Sequence, residues 1–514
     1  MSYTELLNRL GFESDPFAKT NADEEERLNK YFIHPPFFNA VLGAPETPKS
    51  AVVLAPRGGG KTALKRKIEI ESETQRFLCV TYNTFDISEV KLSEIDAGYH
   101  LTRIARLVLI GVITAASIRG VEGITGNDRH LLYLLCKAHL SKISLTDMRA
   151  AISAVKTWGD KGMDIWNKFA GPLAIVVNAL LQKVGLGEAE IKKFEAEGGD
   201  VGSLIEQLRT LARLSQHLGF HSIYVLIDKV DETAFTGGAK NAFKFIEPII
   251  GDLQLLELPD YAFKIFLWDK LLEDYQAIAR PDRVKYYRLL WPAEQLNKML
   301  SERLRAYSGG AVFSLAQVCE PGGQPLDELV SLFAQGSPRM AIRICKEIVD
   351  QQSEIDDGAK MISEDAIVRG FAQIAKNVSE ETFHENIVRE LQKTHRCDFT
   401  IRHLYTNVFK FSQQAGLQKV TSWEDAGAVV MAGKIQETAG AKGSNHYALS
   451  HWMLAKHVFT ELSIRDFVNR KLIRCDCGEW LLRDWDISPT QSCHWCQSEI
   501  TGPRLTEVGS TGMN

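Results

Sequence analysis

The chain has 514 residues, a net charge of −5 and an ordinary globular composition, 45% hydrophobic and 24% charged. That length suits roughly three domains of about 150 residues each, and the apolar content suffices for sizeable cores. The acidic balance excludes a general nucleic-acid sponge, so any DNA contact would need a local basic face. Met1-Ser-Tyr-Thr-Glu-Leu-Leu7 has no basic region leading into an apolar core, so no secretory leader is expected. The longest apolar stretches, Leu107–Ala116 and Leu173–Val177, fall short of a bilayer. The chain therefore reads as cytoplasmic, with no membrane partner.

Residues 1–50 read as an N-terminal cap. Within it, Tyr31-Phe-Ile-His-Pro-Pro-Phe-Phe38 is an aromatic run that can either stack on a nucleotide base or pack over a sheet edge. A core domain is expected over 51–290. It opens on the apolar run Ala51–Leu54, followed by Ala55-Pro-Arg-Gly-Gly-Gly-Lys-Thr62 and the helix-forming run from Ala63. Strand, glycine-rich turn, Lys-Thr and helix form a phosphate-binding loop. Gly58, Gly59 and Gly60 let successive N–H groups turn inward on an anion, a geometry that Cβ atoms obstruct. The positive end of the following helix dipole adds to the attraction.

The expected phosphate contacts run from Pro56 and Arg57 through Gly58, Gly59, Gly60, Lys61 and Thr62 to Ala63. Lys61 reaches the β- and γ-phosphates of ATP, and the Thr62 hydroxyl ligates Mg²⁺. The pattern G-x-x-x-x-G-K-[ST] has Gly where this chain has Ala55, a substitution small enough for the loop to survive. Phe77–Tyr82 reads as a second strand. The 140 residues from Asn83 to Ser222 then show helical periodicity at about 97–119, 127–140, 145–158, 163–195 and 201–218. They suggest an all-helical insertion near 90–200, of the kind that makes subunit or partner contacts.

Ile223–Ile227 reads as a buried parallel strand ending in Asp228, where a carboxylate can hold the Mg²⁺ hydration shell. Asp231 and Glu232 follow, and either could orient and deprotonate an attacking water. Ala262–Trp268 is a further strand, with Asp269 in the place of a γ-phosphate sensor. In Ala279-Arg-Pro-Asp-Arg-Val-Lys-Tyr-Tyr-Arg288, Arg283 and then Arg280 are candidates for an arginine that reaches a neighbouring subunit's nucleotide. The competing reading is a solvated basic segment with local ion pairs.

Residues 291–376 read as a helical lid. In it, Gly336-Ser-Pro-Arg339 either places Arg339 as a phosphate sensor or simply caps a helix, with Ser337 and Pro338 suited to its start. Residues 377–470 give three helical segments and two short strands around the turn Ala439–Ser444, a winged-helix pattern. Lys410, Gln413, Gln414 and Lys419 would lie on its third helix.

Four of the nine cysteines fall in the last 40 residues. Cys475, Cys477, Cys493 and Cys496 suit a tetrahedral Zn²⁺ site in a ribbon over 471–500, with Trp480 and Leu481 as its core. The first knuckle is C-x-C, one residue shorter than usual. Disulfides and unliganded thiols are the alternatives. Residues 501–514 read as a flexible tail.

The glycine-rich loop, Leu-Ile-Asp-Lys-Val-Asp-Glu232, Gly336-Ser-Pro-Arg339 and Gly11-Phe-Glu-Ser-Asp-Pro-Phe17 together resemble the AAA+ and STAND branch of P-loop ATPases. Within it, the origin-recognition-complex-like and transposon-type group is most similar. The resemblance covers roughly residues 10–90 and 200–470. It implies an α/β fold with a parallel P-loop sheet, helical insertion, helical lid and winged helix. It also implies Mg²⁺-dependent ATP hydrolysis and a homo-oligomer. Two readings follow: a switch controlling an effector protein, in a branch that includes phage-defence ATPases, or a DNA-associated loader or initiator.

Overall fold

The computed structural model describes residues 3–85, 91–120, 124–141, 145–157, 188–197, 201–233, 236–321, 325–435, 443–478, 480–484, 490–493, 496 and 498–501. Most of the expected helix at 163–195, the apolar run Leu173–Val177, much of the wing turn, His494 and the tail from 502 lie outside the described residues. The chain divides into two compact units, Asn21–Pro292 and Met1–Thr20 with Ala293–Asn514.

In the first unit, β1 (Ala51–Ala55), β2 (Phe77–Tyr82), β3 (Ser222–Ile227), β4 (Tyr261–Trp268) and β5 (Lys285–Arg288) form one sheet in the order β2-β3-β4-β1-β5. All neighbours are parallel. The first four strands are near-continuous apolar runs, as strands covered on both faces must be. Sequence reading took β5 as part of a basic segment. It is short, half-exposed and at the sheet edge, so it carries no buried apolar run to betray it.

Helix α1 (Lys61–Thr74) packs Leu64 and Ile68 against Val53, Phe77, Cys79, Tyr224 and Phe266. The opposite face carries α2 (Ala97–Arg119), with α3 (Gly126–Leu140), α4 (Leu145–Ala154) and α5 (Leu204–His217) packed in the same core. At Gly111, α2 lies so close to β2 that an added Cβ would stand 3.3 Å from Leu78. The run Leu107–Ala116 is thus part of a longer helix than its apolar stretch. Its 23 residues, with an 18-residue window at a mean hydropathy of 1.8, could cross a membrane by length and composition alone. Yet 72% of its apolar window is buried inside the protein, spent on the sheet and its covering helices.

The aromatic run also resolves into packing. Phe38 is buried beside Val53 and Leu64, and Phe37 stacks on Tyr287 at 5.2 Å between centroids.

Lys264, in the middle of β4, is fully buried; its Nζ donates to the Lys49 carbonyl at 2.6 Å and lies 4.9 Å from the Tyr224 ring centroid. Burial pushes its pKa from 10.5 down to about 7. Between those values the unfolded chain holds a proton that the folded chain has released. Stability therefore rises with pH across that window, and the penalty is fully present below it. Lys264→Met keeps the shape and should stabilise the fold at pH 6 by up to about 5 kcal/mol, less the cost of leaving the Lys49 carbonyl without its donor. The gain should fade toward pH 10, as urea unfolding at several pH values would read out.

The second unit collects the helices Ala293–Tyr307, Leu326–Phe333, α6 (Pro338–Ile355) and α7 (Glu364–Thr382). The N-terminal Gly-Phe…Asp-Pro-Phe element belongs to this unit. Phe12 and Phe17 are buried, the Glu13 N–H donates to the Tyr307 carbonyl at 2.8 Å, and buried Arg303 donates to the Lys19 carbonyl at 2.9 Å.

Next come α8 (Glu385–Thr394), β6 (Asp398–Thr400), a turn of helix from Ile401 that widens over Leu404–Val408, α9 (Gln413–Asp425), and the hairpin β7 (Val429–Ile435) and β8 (Ser444–Leu449). The antiparallel order β6-β8-β7 behind three helices is the winged-helix arrangement. Two further small hairpins follow, β9 (Leu472–Arg474) with β10 (Trp480–Leu482), and β11 (Thr490–Ser492) with β12 (Glu499–Thr501).

Candidate nucleotide-binding site

β1 delivers the chain to the carboxyl end of the sheet, and Pro56–Gly60 turn it into α1. Gly58 and Gly60 have φ of 75° and 88°, a backbone that side-chain-bearing residues rarely adopt. A Cβ on Gly59 would lie 2.9 Å from the Pro56 carbonyl oxygen. The three glycines thus form a cradle that any Cβ would strain, which fits a loop closing on phosphates. The Trp291 indole N–H donates to the Gly59 carbonyl at 2.9 Å and braces the loop from outside.

Lys61 opens α1, and its Nζ donates to the carbonyls of Ala55 and Pro56 at 3.0 and 3.2 Å. Burial lowers its pKa, against the opposing pull of Asp231, Asp228, Asp269 and Glu232. Thr62 Oγ1 donates to Asp228 Oδ2 at 3.1 Å. The hydroxyl and carboxylate expected to share Mg²⁺ are therefore neighbours, as a hard cation with oxygen ligands requires.

Asp228 is almost fully buried, and burial raises its pKa; Lys65, the Lys229 N–H and Thr62 act against that rise. Lys65, one helical turn after Lys61, is itself buried, with its Nζ 2.9 Å from Asp23, 3.5 Å from Glu69 and 3.9 Å from Asp228. Burial disfavours its charge, but the three carboxylates outweigh that and raise its pKa. Asp23 also takes the Lys229 ammonium at 2.9 Å. Burial opposes its charge too, yet the two lysines hold its pKa down at about 2. This network behind the Mg²⁺ position was missed from sequence. The i, i+4 pair Lys65/Glu69 was the only local signal for it, because Asp23 lies 42 residues away.

The two candidate bases occupy different environments. Asp231 is buried and accepts Arg57 Nε at 2.9 Å; Arg57 also donates to the carbonyls of Asp231 and Gly237 and sits over the Trp268 ring. Arg57 therefore ties the phosphate loop to the segment after β3. Glu232 is exposed. Lys229, directly after Asp228, has a left-handed backbone with φ of 63°.

Asp269 is half-buried at the end of β4. Arg283 and Arg280 are both exposed, each in a bidentate ion pair, Arg283 with Glu257 and Arg280 with Asp282. Arg339 lies in the second unit, exposed on the first turn of α6. Ser337 caps that helix by accepting the Met340 N–H at 3.2 Å, and Pro338 opens it. On α9, Gln413 and Gln414 are exposed, but Lys419 is turned to Glu390 beside the Phe409 and Trp423 rings. Lys410 precedes the helix.

At the C-terminus, the sulfurs of Cys475, Cys477, Cys493 and Cys496 all lie within 4.8 Å of one another. The pairs Cys475–Cys496 and Cys477–Cys493 stand 3.6 and 3.8 Å apart. Four thiolates about 2.3 Å from one zinc ion would be about 3.8 Å apart, so this cluster has the dimensions of a tetrahedral site. The Gly478 N–H donates to the Cys475 carbonyl at 2.8 Å, a turn that closes the short knuckle, and Gly478 itself then leaves it at φ 95°. Leu481 joins the small core with Cys475, Cys493, Ile500 and Ile473; Trp480 is half-exposed and outside it.

No family model and no curated protein matches the chain. Solved structures do match. The ORC1 protein of Aeropyrum pernix, determined in complex with DNA, is 12% identical with a TM-score of 0.37, covering 86% of this chain and 96% of that one. Cdc6p from Pyrobaculum aerophilum gives 14%, 0.33, 88% and 99%, and the Aeropyrum pernix ORC2 protein, in ADPNP–ADP complexes, 11%, 0.36, 85% and 97%. At these levels of similarity nothing about ligands or partners carries over to this chain.

Proposed function

We propose that the protein is a Mg²⁺-dependent P-loop ATPase that acts as a nucleotide-driven switch. The observation that carries this reading is the glycine cradle with Lys61 at its helix start and Thr62 bonded to Asp228. Thr62 and Asp228 would hold Mg²⁺, which would supply neutralisation of the phosphate charge. Backbone N–H groups of Gly58–Thr62 hold the phosphates, and Lys61 meets the β- and γ-oxygens. Glu232 is the proposed base, because Asp231 is committed to Arg57. Zn²⁺ in the cysteine ribbon is the second proposed ligand.

The test separates binding from turnover. Glu232→Gln should keep ATP affinity within about twofold while turnover falls at least 100-fold, the range expected for loss of a general base. Asp231→Asn should instead loosen the Arg57 tether and weaken ATP binding. Turnover at the wild-type rate in Glu232→Gln would move the base to Asp231.

A second reading, a DNA-associated loader or initiator, has the winged-helix topology in its favour. Against reading by α9 stands its exposed face of Gln413, Gln414, Leu417 and Gln418, which offers no cation. Duplex binding measured against salt, with and without ATP, decides it: a slope that steepens with ATP supports this reading. Arg283 as an arginine acting across subunits would require a homo-oligomer and release of Glu257, and Arg339 as a sensor would act from α6. Neither the geometry nor the comparisons support the STAND and transposon-type placement, an effector partner or phage defence, and these form no part of the proposal.

A further inference from the structure

An open pocket of about 100 Å³ lies at the carboxyl end of β2, outside the phosphate loop. Thr81, Tyr82, Asn83 and Thr84 form one wall; Arg103, Arg106 and Leu107 of α2 and Asp147, Ala150, Ala151 and Ala154 of α4 form the rest. β1, with the phosphate loop, is three strands away from β2 in the sheet order.

The charge in this cavity is unbalanced. Arg103 and Arg106 stand one turn apart on the same face of α2, and Asp147 supplies one opposing charge. Each guanidinium is anchored at one point: Arg103 Nη1 donates to the Tyr99 carbonyl at 3.3 Å and the group lies over the Tyr99 ring, while Arg106 Nε donates to the His139 carbonyl at 3.1 Å. Their remaining N–H groups have no protein acceptor among the described residues. A guanidinium carries five donors in a rigid fork suited to phosphate. Burial, and then Arg103, disfavours the Arg106 charge, a cost that a bound anion would relieve. Leu107, Ala151 and Ala154 add an apolar wall, as small-molecule sites have.

We infer that this cavity binds a small phosphate monoester, its dianionic group held by Arg103 and Arg106 and its organic body laid on Leu107, Ala151 and Ala154. A dianion suits two arginines better than a carboxylate does, and the apolar wall favours an ester over the bare ion. Two links run from the cavity wall toward Asp228: the Tyr82 carbonyl accepts the Asp228 N–H at 3.3 Å, and the Thr81 hydroxyl donates to Glu69 at 2.6 Å, which reaches Asp228 through Lys65. Occupancy would therefore bear on the strand end that presents Asp228.

Because the glycine loop is itself a phosphate binder, the test uses the full chain carrying Lys61→Ala. Phenyl phosphate, titrated calorimetrically, should bind this protein at least tenfold more tightly than inorganic phosphate. Adding Arg106→Gln should weaken phenyl phosphate at least tenfold. Ala150→Leu, which fills the cavity without touching its charge, should do the same. Arg106→Gln alone should leave ATP affinity within twofold of wild type, which separates this site from the phosphate loop. Failure of phenyl phosphate to bind, or equal binding with and without Arg106 and in Ala150→Leu, would overturn the inference.

Discussion

Lys61→Ala is expected to weaken ATP binding by one to two orders of magnitude and to take turnover below detection. Lys61 is held in the loop by two backbone carbonyls, Ala55 and Pro56, and surrounded by Asp231, Asp228, Asp269 and Glu232. Its burial costs charge stability that the carboxylates alone do not fully restore, since its pKa remains lowered. A phosphate would complete the balance. A hydrogen bond to a charged group contributes about 1.5–3 kcal/mol, a factor of roughly 10 to 150 in affinity. The effect on turnover is larger, because charge grows on the phosphoryl oxygens during transfer, and a lost donor there costs about 100- to 1000-fold. Lys61→Met preserves the length of the stem and should fail in the same way. A thermal melt matching wild type would show that the fold survives. Turnover of ATP by Lys61→Ala at the wild-type rate would refute the nucleotide reading.

The sequence revealed those parts of the site that are local in the chain. β1, the glycines, Lys61 and Thr62 occupy twelve consecutive residues, and their spacing alone dictates strand, turn and helix. Asp228 was visible because a buried parallel strand is a continuous apolar run, and this one ends in a carboxylate. What stayed hidden depends on contacts between distant segments. The tether from Arg57 to Asp231 spans 174 residues, and the link from Asp23 to Lys229 spans 206. No period in the sequence encodes such pairs. β5 escaped for a different reason: its four edge residues are exposed at both ends and half-buried between, so they show neither a buried run nor an alternation. Lys419 looked available because a lysine on a helix usually faces water, but its ammonium reaches Glu390 and lies 5.4 and 5.9 Å from the Phe409 and Trp423 ring centroids. The cavity on β2 needs α2, α4 and the strand end together, and none of the three has an informative sequence by itself.

If the cysteine cluster holds zinc as proposed, removing it is expected to unfold the ribbon and leave the unit Asn21–Pro292 intact. The ribbon's described core consists of Cys475, Leu481, Cys493 and Ile500 with Ile473 against it, and its hairpins are three-residue strands. So small a core cannot offset the conformational entropy of ordering about 30 residues, at roughly 1–2 kcal/mol each. A structural zinc site supplies about 10–16 kcal/mol of apparent binding energy, and in such modules this is folding energy. Elemental analysis should therefore find one zinc per chain, and Cys493→Ser, which removes a buried ligand, should lose it. Hydrogen exchange over residues 472–501 should then rise to the unprotected rate, while β1, α1 and β3 keep their protection. The winged helix should loosen modestly, because the Asp484 side chain, just past β10, accepts the Cys397 N–H and pairs with Lys471. Cutting before Lys471 should leave ATP affinity unchanged, since no cysteine of the cluster lies in the nucleotide-binding unit. Gly478→Ala offers a milder version: it keeps all four sulfurs but strains the turn at φ 95°, so zinc affinity should fall without being lost. A purified chain that contains no zinc and still protects residues 472–501 from exchange would show that these thiols pack as ordinary core residues.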